Sequence, residues 1–152
     1  MVQNGDGTKA RVRYFRDSKK TKKAEKVSAI VWNVAGLNNK DEEFWEEVKK
    51  HESIGLTETW VEKVSPKIEK KWGEGHEWTV VKARREARKG RAKGGIVVGV
   101  KKGWNAKIEV RSSDIVEISL KMSNKKWVIY IVYLRENKTQ ITFLLSLSGA
   151  RQ

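Results

Sequence analysis

The feature that most constrains the fold is a pair of short apolar runs joined by a charged segment, within residues 27–60. The first run, VSAIVWN, is almost continuously apolar before Asn33, as expected of a strand that is buried on both faces. The segment NNKDEEFWEEVKKH begins with acids and ends with basic residues, which suits a helix that Asn38 or Asn39 can cap. The second run, SIGLTETW, is a shorter strand. Together they predict a β–α–β unit with two parallel strands.

Two polar side chains follow these runs, Asn33 after the first and Glu58 within LTETW. Parallel strands joined by a helix end at the same edge of a sheet, and functional side chains gather at such edges. We therefore expect Asn33 and Glu58 to lie near each other. Taken alone, the two residues are also typical of a turn cap and a solvated acid, and that alternative stays open.

The rest of the chain is rich in strand patterns. A short helix is predicted around Pro66, followed by the strands WTVVKA and GGIVVGVKKG and then by three alternating strands within residues 104–134. The hairpin pattern of the last three predicts antiparallel pairing. The expected class is therefore α/β (α+β), in one folded unit that begins near residue 27. Residues 1–26 are interpreted as a basic disordered tail.

The positive charge is concentrated in separate segments. The net charge is +14, and the twelve residues 82–93, KARREARKGRAK, carry seven Lys and Arg against one acid. Such a segment favours a nucleic-acid partner, although a solvated loop has the same composition. The candidate phosphate contacts are Lys82, Arg84, Arg85, Arg88, Lys89, Arg91 and Lys93. Trp72, Trp78 and Trp104 could stack on bases if they are exposed, or pack in a core.

Several classes of protein are disfavoured by what the sequence lacks. There is no Cys, and therefore neither a disulfide partner nor a thiolate metal site. No apolar run reaches 18 residues and the N-terminus has no apolar signal segment, so we expect no membrane partner. The expected location is intracellular, and the basic residues 1–27, with nine Lys and Arg against three acids, favour the nucleus.

Four phrases carry a family resemblance: WNVAGL, IGLTETW, AKGGIVVGVKKG and IYIVYLREN. In order and spacing they resemble the endonuclease/exonuclease/phosphatase superfamily, and are most similar to the apurinic-like endonuclease domain of non-LTR (LINE-type) retrotransposons. The resemblance covers residues 27–137 and implies a DNase I-like α/β sandwich of mixed sheets with outer helices. Residues 138–152 form a divergent end, similar to sequence that follows a frameshift or premature stop.

The resemblance also implies roles for single residues. Asn33 would orient the phosphate or a catalytic carboxylate, and Glu58 would bind Mg²⁺, which prefers hard oxygen ligands. Tyr133 would contact the scissile phosphate, although it also fits an ordinary residue at the end of a strand. The family's Tyr is followed by a Pro-containing turn, whereas Leu134 and Arg135 follow here.

Two elements of the family's catalytic site are missing. Neither an Asp-x-Asn after the Tyr strand nor a later Ser-Asp-His occurs in this sequence, and His51 and His76 are not placed to replace them. The expectation is a truncated, inactive Mg²⁺-dependent phosphodiester-hydrolysing endonuclease domain derived from a retrotransposon. The alternatives are a non-catalytic basic module that binds nucleic acid, with DNA favoured over RNA, or a non-functional gene fragment. An incomplete sheet would also leave an exposed edge that promotes self-association.

Overall fold

The computed structural model describes residues 2–5, 9–16, 25–122, 125–133 and 141–149, which form two sheets and two helices. The fold is mixed α/β and consists mostly of strands. The elements in chain order are β1 (Val2–Gly5), β2 (Lys9–Arg16), β3 (Glu25–Asn33), α1 (Glu42–Lys49), β4 (Ser53–Thr57), α2 (Pro66–Trp72), β5 (His76–Val81), β6 (Ile96–Lys101), β7 (Lys107–Ser112), β8 (Ile115–Met122), β9 (Lys125–Tyr133) and β10 (Ile141–Gly149).

The first sheet is built around the predicted β–α–β unit. Its six strands lie in the order β1-β2-β3-β4-β6-β5. The β3 and β4 strands are parallel, with Asn33 beside Thr57, and the other neighbours in this sheet are antiparallel. The prediction of two parallel strands that end at one edge is therefore confirmed.

Helix α1 crosses from β3 to β4 and begins two or three residues later than the predicted caps, Asn39 or Asn38, imply. The Asp41 side chain caps it by accepting a hydrogen bond from the Phe44 N–H at 2.8 Å. Asn38 and Asn39 lie instead in the turn that precedes the helix, so the expectation that either caps it was wrong. Asp41 satisfies an otherwise unpaired amide and places a negative charge at the positive end of the helix dipole.

Helix α2 begins as its sequence predicts. Pro66 occupies the first turn, where its missing N–H costs nothing, and Ser65 caps the helix by accepting from the Ile68 N–H. An ion pair between Lys71 and Glu42 joins α2 to α1. Both helices cover the same face of the first sheet, and the buried residues there form the outer cluster: Ile30, Val34, Leu37, Phe44, Trp45, Val48, Ile54, Leu56, Val61, Ile68 and Val97.

The opposite face of the first sheet packs against the second sheet, whose order is β10-β9-β8-β7. All its neighbours are antiparallel, as the hairpin pattern predicts. The sheets approach closely at Gly55, where a Cβ would lie 2.7 Å from Cδ1 of Ile131. The buried residues between the sheets form the inter-sheet cluster: Val31, Ile96, Val98, Val100, Val116, Ile118, Leu120, Ile129 and Ile131.

The structure describes strands in both of the end segments that the sequence analysis set apart. Residues 1–26, interpreted as a disordered tail, include β1, β2 and the beginning of β3. The alternation in KARVRYFR is typical of a strand, and the high charge of the segment concealed it. Residues 138–152 include β10, which pairs with β9 from Ile141 to Gly149.

Four described strands stand at sheet edges: β1 and β5 in the first sheet, β7 and β10 in the second. Self-association through such an edge stays a prediction. Of the two helices that the structure describes, neither is long and apolar enough to cross a membrane.

Candidate functional site

One row of residues crosses four strands and defines an edge of the first sheet. Asn33 at the end of β3 lies beside Thr57 at the end of β4, and Thr57 lies beside Ile96, the first residue of β6. Ile96 in turn lies beside Val81, the last residue of β5. Asn33, Glu58 and the basic segment 82–93 therefore emerge along the same edge of the sheet, which we call the Asn33–Glu58 edge.

Backbone hydrogen bonds fasten the three loops of this edge to one another. The Gly36 N–H, in the loop after β3, donates to the Glu58 carbonyl at 2.8 Å. The Trp60 N–H, in the loop after β4, donates to the Gly94 carbonyl just before β6 at 3.0 Å. Because such bonds use fixed backbone groups, the edge has a defined shape before anything binds to it.

The edge also concentrates strained backbone. Among the described residues, four other than glycine have positive φ, and three of them, Ala35 (47°), Glu58 (53°) and Trp60 (57°), belong to this edge. Such conformations cost on the order of 1 kcal/mol or more each and persist where the surrounding structure enforces them, often at functional sites. The strain therefore supports the sequence-based choice of this edge.

Glu58 is linked to the basic segment through an aromatic side chain. Trp60 Nε1–H donates to Glu58 Oε2 at 2.5 Å, and the Arg91 guanidinium carbon lies 3.9 Å from the centroid of the Trp60 ring. The Arg91 cation therefore contacts the Trp60 indole, and the indole in turn contacts the Glu58 carboxylate. Trp60 was not among the predicted site residues. The signal in the sequence was its place two positions after Glu58, on the loop rather than in the strand.

Asn33 and Tyr133 lie at the same end of the sandwich. The opposite end of the sandwich has an open groove whose lining includes both Trp104, which follows β6, and Lys126, near the beginning of β9. Because β9 begins at that opposite end, its last residue, Tyr133, lies at the end where β3 finishes with Asn33. Tyr133 is the last residue of β9, half-buried against the inter-sheet cluster. Its N–H donates to the Asp114 carbonyl at 2.9 Å. Its predicted contact with phosphate stays a prediction.

The basic segment is an ordered loop rather than a free one. An isolated bridge between Arg84 and Lys93 closes it, with backbone N–H···O distances of 2.9 and 2.8 Å. The Arg85 side chain binds both carboxylate oxygens of Glu62, at 2.8 Å each, and also donates to the Gly90 carbonyl. The hydrogen bonds of the Arg85 guanidinium hold the pKa of the Glu62 carboxyl below its ordinary value.

The seven predicted phosphate contacts therefore divide into two groups. Arg85 is committed to Glu62, Lys93 forms an exposed ion pair with Glu86 at 3.2 Å, and Arg91 stacks on Trp60. The remaining four are exposed, and the described residues provide no acidic partner for their side chains: Lys82, Arg84, Arg88 and Lys89. These four are the cations most available to an anionic ligand.

The histidines lie at the opposite end of the first sheet. His76, the first residue of β5, lies beside Lys101 at the end of β6, and His76 Nε2 is 2.7 Å from the His51 carbonyl oxygen. His76 is buried, although it is the first residue of a strand. Neither imidazole lies at the Asn33–Glu58 edge.

The oxygen ligands at the edge are sparse. Among the described residues, no group of three or more His, Cys, Asp or Glu side chains converges on a common point. Glu58 presents a single carboxylate, one oxygen of which accepts the indole N–H. This donor set fits a Mg²⁺ ion that keeps its waters and takes a phosphate oxygen as a further ligand, rather than a cage built from protein side chains.

The three tryptophans considered for base stacking are packed in the interior layers. Trp72 and Trp78 stack on each other, with ring centroids 5.1 Å apart, and both pack against the outer cluster. Trp104 packs against the inter-sheet cluster. Of the two roles that the sequence allowed for these three tryptophans, stacking on bases or packing in a core, the structure shows packing.

Comparisons of the chain with protein-family models, with curated proteins and with solved structures found no match.

Proposed function

We propose that this protein binds the phosphodiester backbone of nucleic acid along the Asn33–Glu58 edge, as a domain of the endonuclease/exonuclease/phosphatase type. The observation that carries the proposal is that one sheet edge brings together Asn33, Glu58 and a loop with four exposed cations that have no described acidic partner. Positive side chains that displace condensed counterions account for most of the sequence-independent affinity for nucleic acid.

The architecture supports the DNase I-like part of the proposal. Two sheets pack face to face, and both described helices lie on the outer face of one of them. This is the layer arrangement that the sequence resemblance implies. A site at the end of such a sandwich, where parallel strands finish, is also where ligands bind in many α/β folds.

Glu58 is the residue that would hold Mg²⁺, with Asn33 nearby to donate a hydrogen bond from its side-chain amide to a phosphate oxygen. When bound, the ion would neutralise charge on a phosphate oxygen. The indole N–H fixes one carboxylate oxygen of Glu58, so the orientation of the other is set in advance.

We propose binding without efficient hydrolysis. Hydrolysis needs a group that activates water, and the two histidines of the chain lie at the far end of the first sheet. Of the described carboxylates near this edge, Glu62 and Glu86 are paired with Arg85 and Lys93, and no imidazole lies there. A non-catalytic module that binds DNA, or alternatively RNA, is thus favoured over an active nuclease.

The test is binding of a fluorescently labelled DNA duplex, followed by anisotropy over a series of salt concentrations. The variant Arg84→Gln/Arg88→Gln/Lys89→Gln removes three exposed loop cations. Each phosphate contact contributes about 0.7–0.9 to the slope of log affinity against log salt, so the slope should fall by about 2 to 3.

A matched control removes three exposed cations away from the edge, in Lys102→Gln/Lys121→Gln/Lys126→Gln. It has the same change in net charge and should keep the wild-type slope to within about one contact. Equal loss of affinity in both triple variants would mean that net charge alone drives binding, and the proposed interface would be wrong.

Repeating the titration with Mg²⁺, on the wild type and on Glu58→Gln, tests the metal site. Any increase in affinity that Mg²⁺ gives to the wild type should be absent from Glu58→Gln.

The retrotransposon origin and a nuclear location belong to the same proposal. Their support is the sequence resemblance and the basic stretch KKTKK at residues 19–23. Imaging a fluorescent fusion of the chain, with and without Lys→Gln changes in that stretch, tests the location.

A further inference from the structure

Trp60 is the one tryptophan that belongs to neither hydrophobic cluster. The structure describes all seven tryptophans, and the other six belong to or pack against the outer or the inter-sheet cluster. Trp60 stands instead on the loop after β4, in a backbone conformation with φ of 57° that a bulky residue rarely adopts. A large apolar side chain held outside the core, at a strained position, needs a reason other than core packing.

Three contacts fix the orientation of the Trp60 indole. The backbone N–H donates to the Gly94 carbonyl at 3.0 Å, and Nε1–H donates to Glu58 Oε2 at 2.5 Å. Gly36, with φ of 100°, lies so close to the six-membered ring that a Cβ there would be 2.8 Å from Cε3. The ring is therefore oriented in advance, and a ligand that uses it loses little entropy in ordering it.

The ring is covered on one side by a group that a ligand can replace. The Arg91 guanidinium lies 3.9 Å from the ring centroid, and Arg91 is exposed. A guanidinium and a nucleobase are both flat and stack on an indole in the same way. Stacking of a base on an aromatic ring is the stronger of the two interactions, because a cation–π contact at an exposed site is weakened by water.

The charges around the ring indicate what kind of ligand brings the flat group. Arg91 belongs to the basic loop, whose exposed cations without an acidic partner among the described residues include Arg84, Arg88 and Lys89. A ligand that combines flat, apolar faces with a regular row of negative charges is a nucleic-acid strand. The bases of a duplex are stacked on their neighbours and offer only their edges, so a base that stacks on Trp60 has to be unpaired.

We propose that Trp60 is a base-stacking position at the Asn33–Glu58 edge, which takes an unpaired base of a single strand in place of the Arg91 guanidinium. Arg91, once displaced, stays on the strand as a contact to an adjacent phosphate. This inference rests on the proposed function, since it names the form of nucleic acid that the same edge prefers.

The test compares two labelled single strands of the same length, roughly 8 to 12 nucleotides. One strand carries bases and the other is abasic throughout, so both present the same phosphates. The wild-type chain should bind the strand with bases about tenfold more tightly. Trp60→Leu, which keeps an apolar side chain but removes the flat ring, should abolish this preference, so that the two strands bind with equal affinity.

Two further variants separate stacking from the other roles of Trp60. Trp60→Phe keeps a ring but loses the hydrogen bond to Glu58, and it should restore most of the preference that Trp60→Leu lacks. Arg91→Gln should keep a preference for the strand with bases, because the Trp60 ring remains, but should weaken binding of that strand by the loss of the phosphate contact that the displaced Arg91 makes. Near-equal melting temperatures of Trp60→Phe and the wild type would show that the fold is intact.

The outcomes distinguish this inference from the proposed function. Equal affinity of the wild-type chain for both strands, or a preference that survives in Trp60→Leu, would overturn base stacking and leave backbone binding in place. Binding to neither strand at low salt would overturn the proposed function itself, and with it the inference.

Discussion

Glu52 joins the beginning of β3 to the beginning of β4 through one carboxylate. Its Oε2 accepts hydrogen bonds from both the N–H and the hydroxyl of Ser28, each at 2.7 Å, and its backbone carbonyl accepts from the Lys101 N–H. Partial burial opposes ionisation, but the Ser28 hydrogen bonds and the charge of Lys101 outweigh it. The pKa of the Glu52 carboxyl is thereby held below its ordinary value.

We expect Glu52→Gln to destabilise the protein at neutral pH by about 1 to 2 kcal/mol, because a charged acceptor is replaced by a neutral one. A lowered pKa in the folded state stabilises fully above the unfolded value, about 4.3, and this contribution is lost as the pH falls through the lower folded value. The difference in melting temperature between wild type and variant should therefore be present at pH 7 and shrink below about pH 4.

Thermal unfolding followed by tryptophan fluorescence from pH 7 to pH 3 measures this difference. Glu74→Gln, at an exposed position between α2 and β5, is the matched control and should melt like the wild type throughout. A difference that persists undiminished at pH 3 would show that Glu52 acts through its shape rather than its charge.

Single residues also show which parts of the candidate site can be predicted from the sequence and which cannot. Asn33 and Glu58 could be predicted because each directly follows an apolar run, which is local information. The contacts of Trp60 with Gly36 and Arg91 join residues far apart in the chain, and they depend on which loops meet at an edge. No periodicity or composition encodes that meeting.

At the scale of elements, the predicted parts were those whose signal lies within one element. The β–α–β unit, α2 with Pro66 in its first turn, and the three antiparallel strands β7, β8 and β9 all follow local patterns. The strand β2 was missed because four of its eight residues, KARVRYFR, are Lys or Arg, and the segment was interpreted from its charge rather than from its alternation. The cap at Asp41 was missed because three possible capping residues, Asn38, Asn39 and Asp41, occur within four positions before the helix.

The basic loop makes an element-scale prediction, because one side chain pins it. Arg85 binds both oxygens of Glu62 and also the Gly90 carbonyl, so it ties both sides of the loop to the segment after β4. We expect Arg85→Ala to loosen the loop and to accelerate limited cleavage by trypsin at Arg88 and Lys89 several-fold. When opening is fast compared with cleavage, the rate follows the population of the open loop.

Arg84→Ala is the matched control for this experiment. It removes one cation and one trypsin site, as Arg85→Ala does, but the bridge of Arg84 to Lys93 uses only backbone atoms. Cleavage at Arg88 and Lys89, read from the masses of the fragments, should stay at the wild-type rate in this variant. Equal acceleration in both variants would mean that loop charge, rather than the Glu62 contact, keeps the loop closed.

At the scale of the whole molecule, the two hydrophobic clusters share the strands of the first sheet. In β3, Val31 faces the inter-sheet cluster and its neighbour Ile30 faces the outer cluster. In β6, Val98 and Val97 divide in the same way. The helices and the second sheet therefore cover opposite faces of the same strands. Loss of either one exposes apolar residues of those strands and weakens the sheet on which the other packs. This couples the stability of the helices to that of the second sheet.

This coupling predicts a single unfolding transition for the described core. Ile131→Ala creates a cavity between the sheets, and Ile54→Ala creates one under the helices; both side chains are at most 1% exposed. Each change should cost about 2 to 5 kcal/mol. For a chain of this size that corresponds to a fall of roughly 5 to 15 °C in melting temperature. Calorimetry and tryptophan fluorescence should both record one transition, and each variant should shift the whole of it.

If Ile131→Ala instead lowered one of two resolved transitions while Ile54→Ala lowered the other, the sheets would unfold independently. The Asn33–Glu58 edge would then depend on the first sheet and its helices alone.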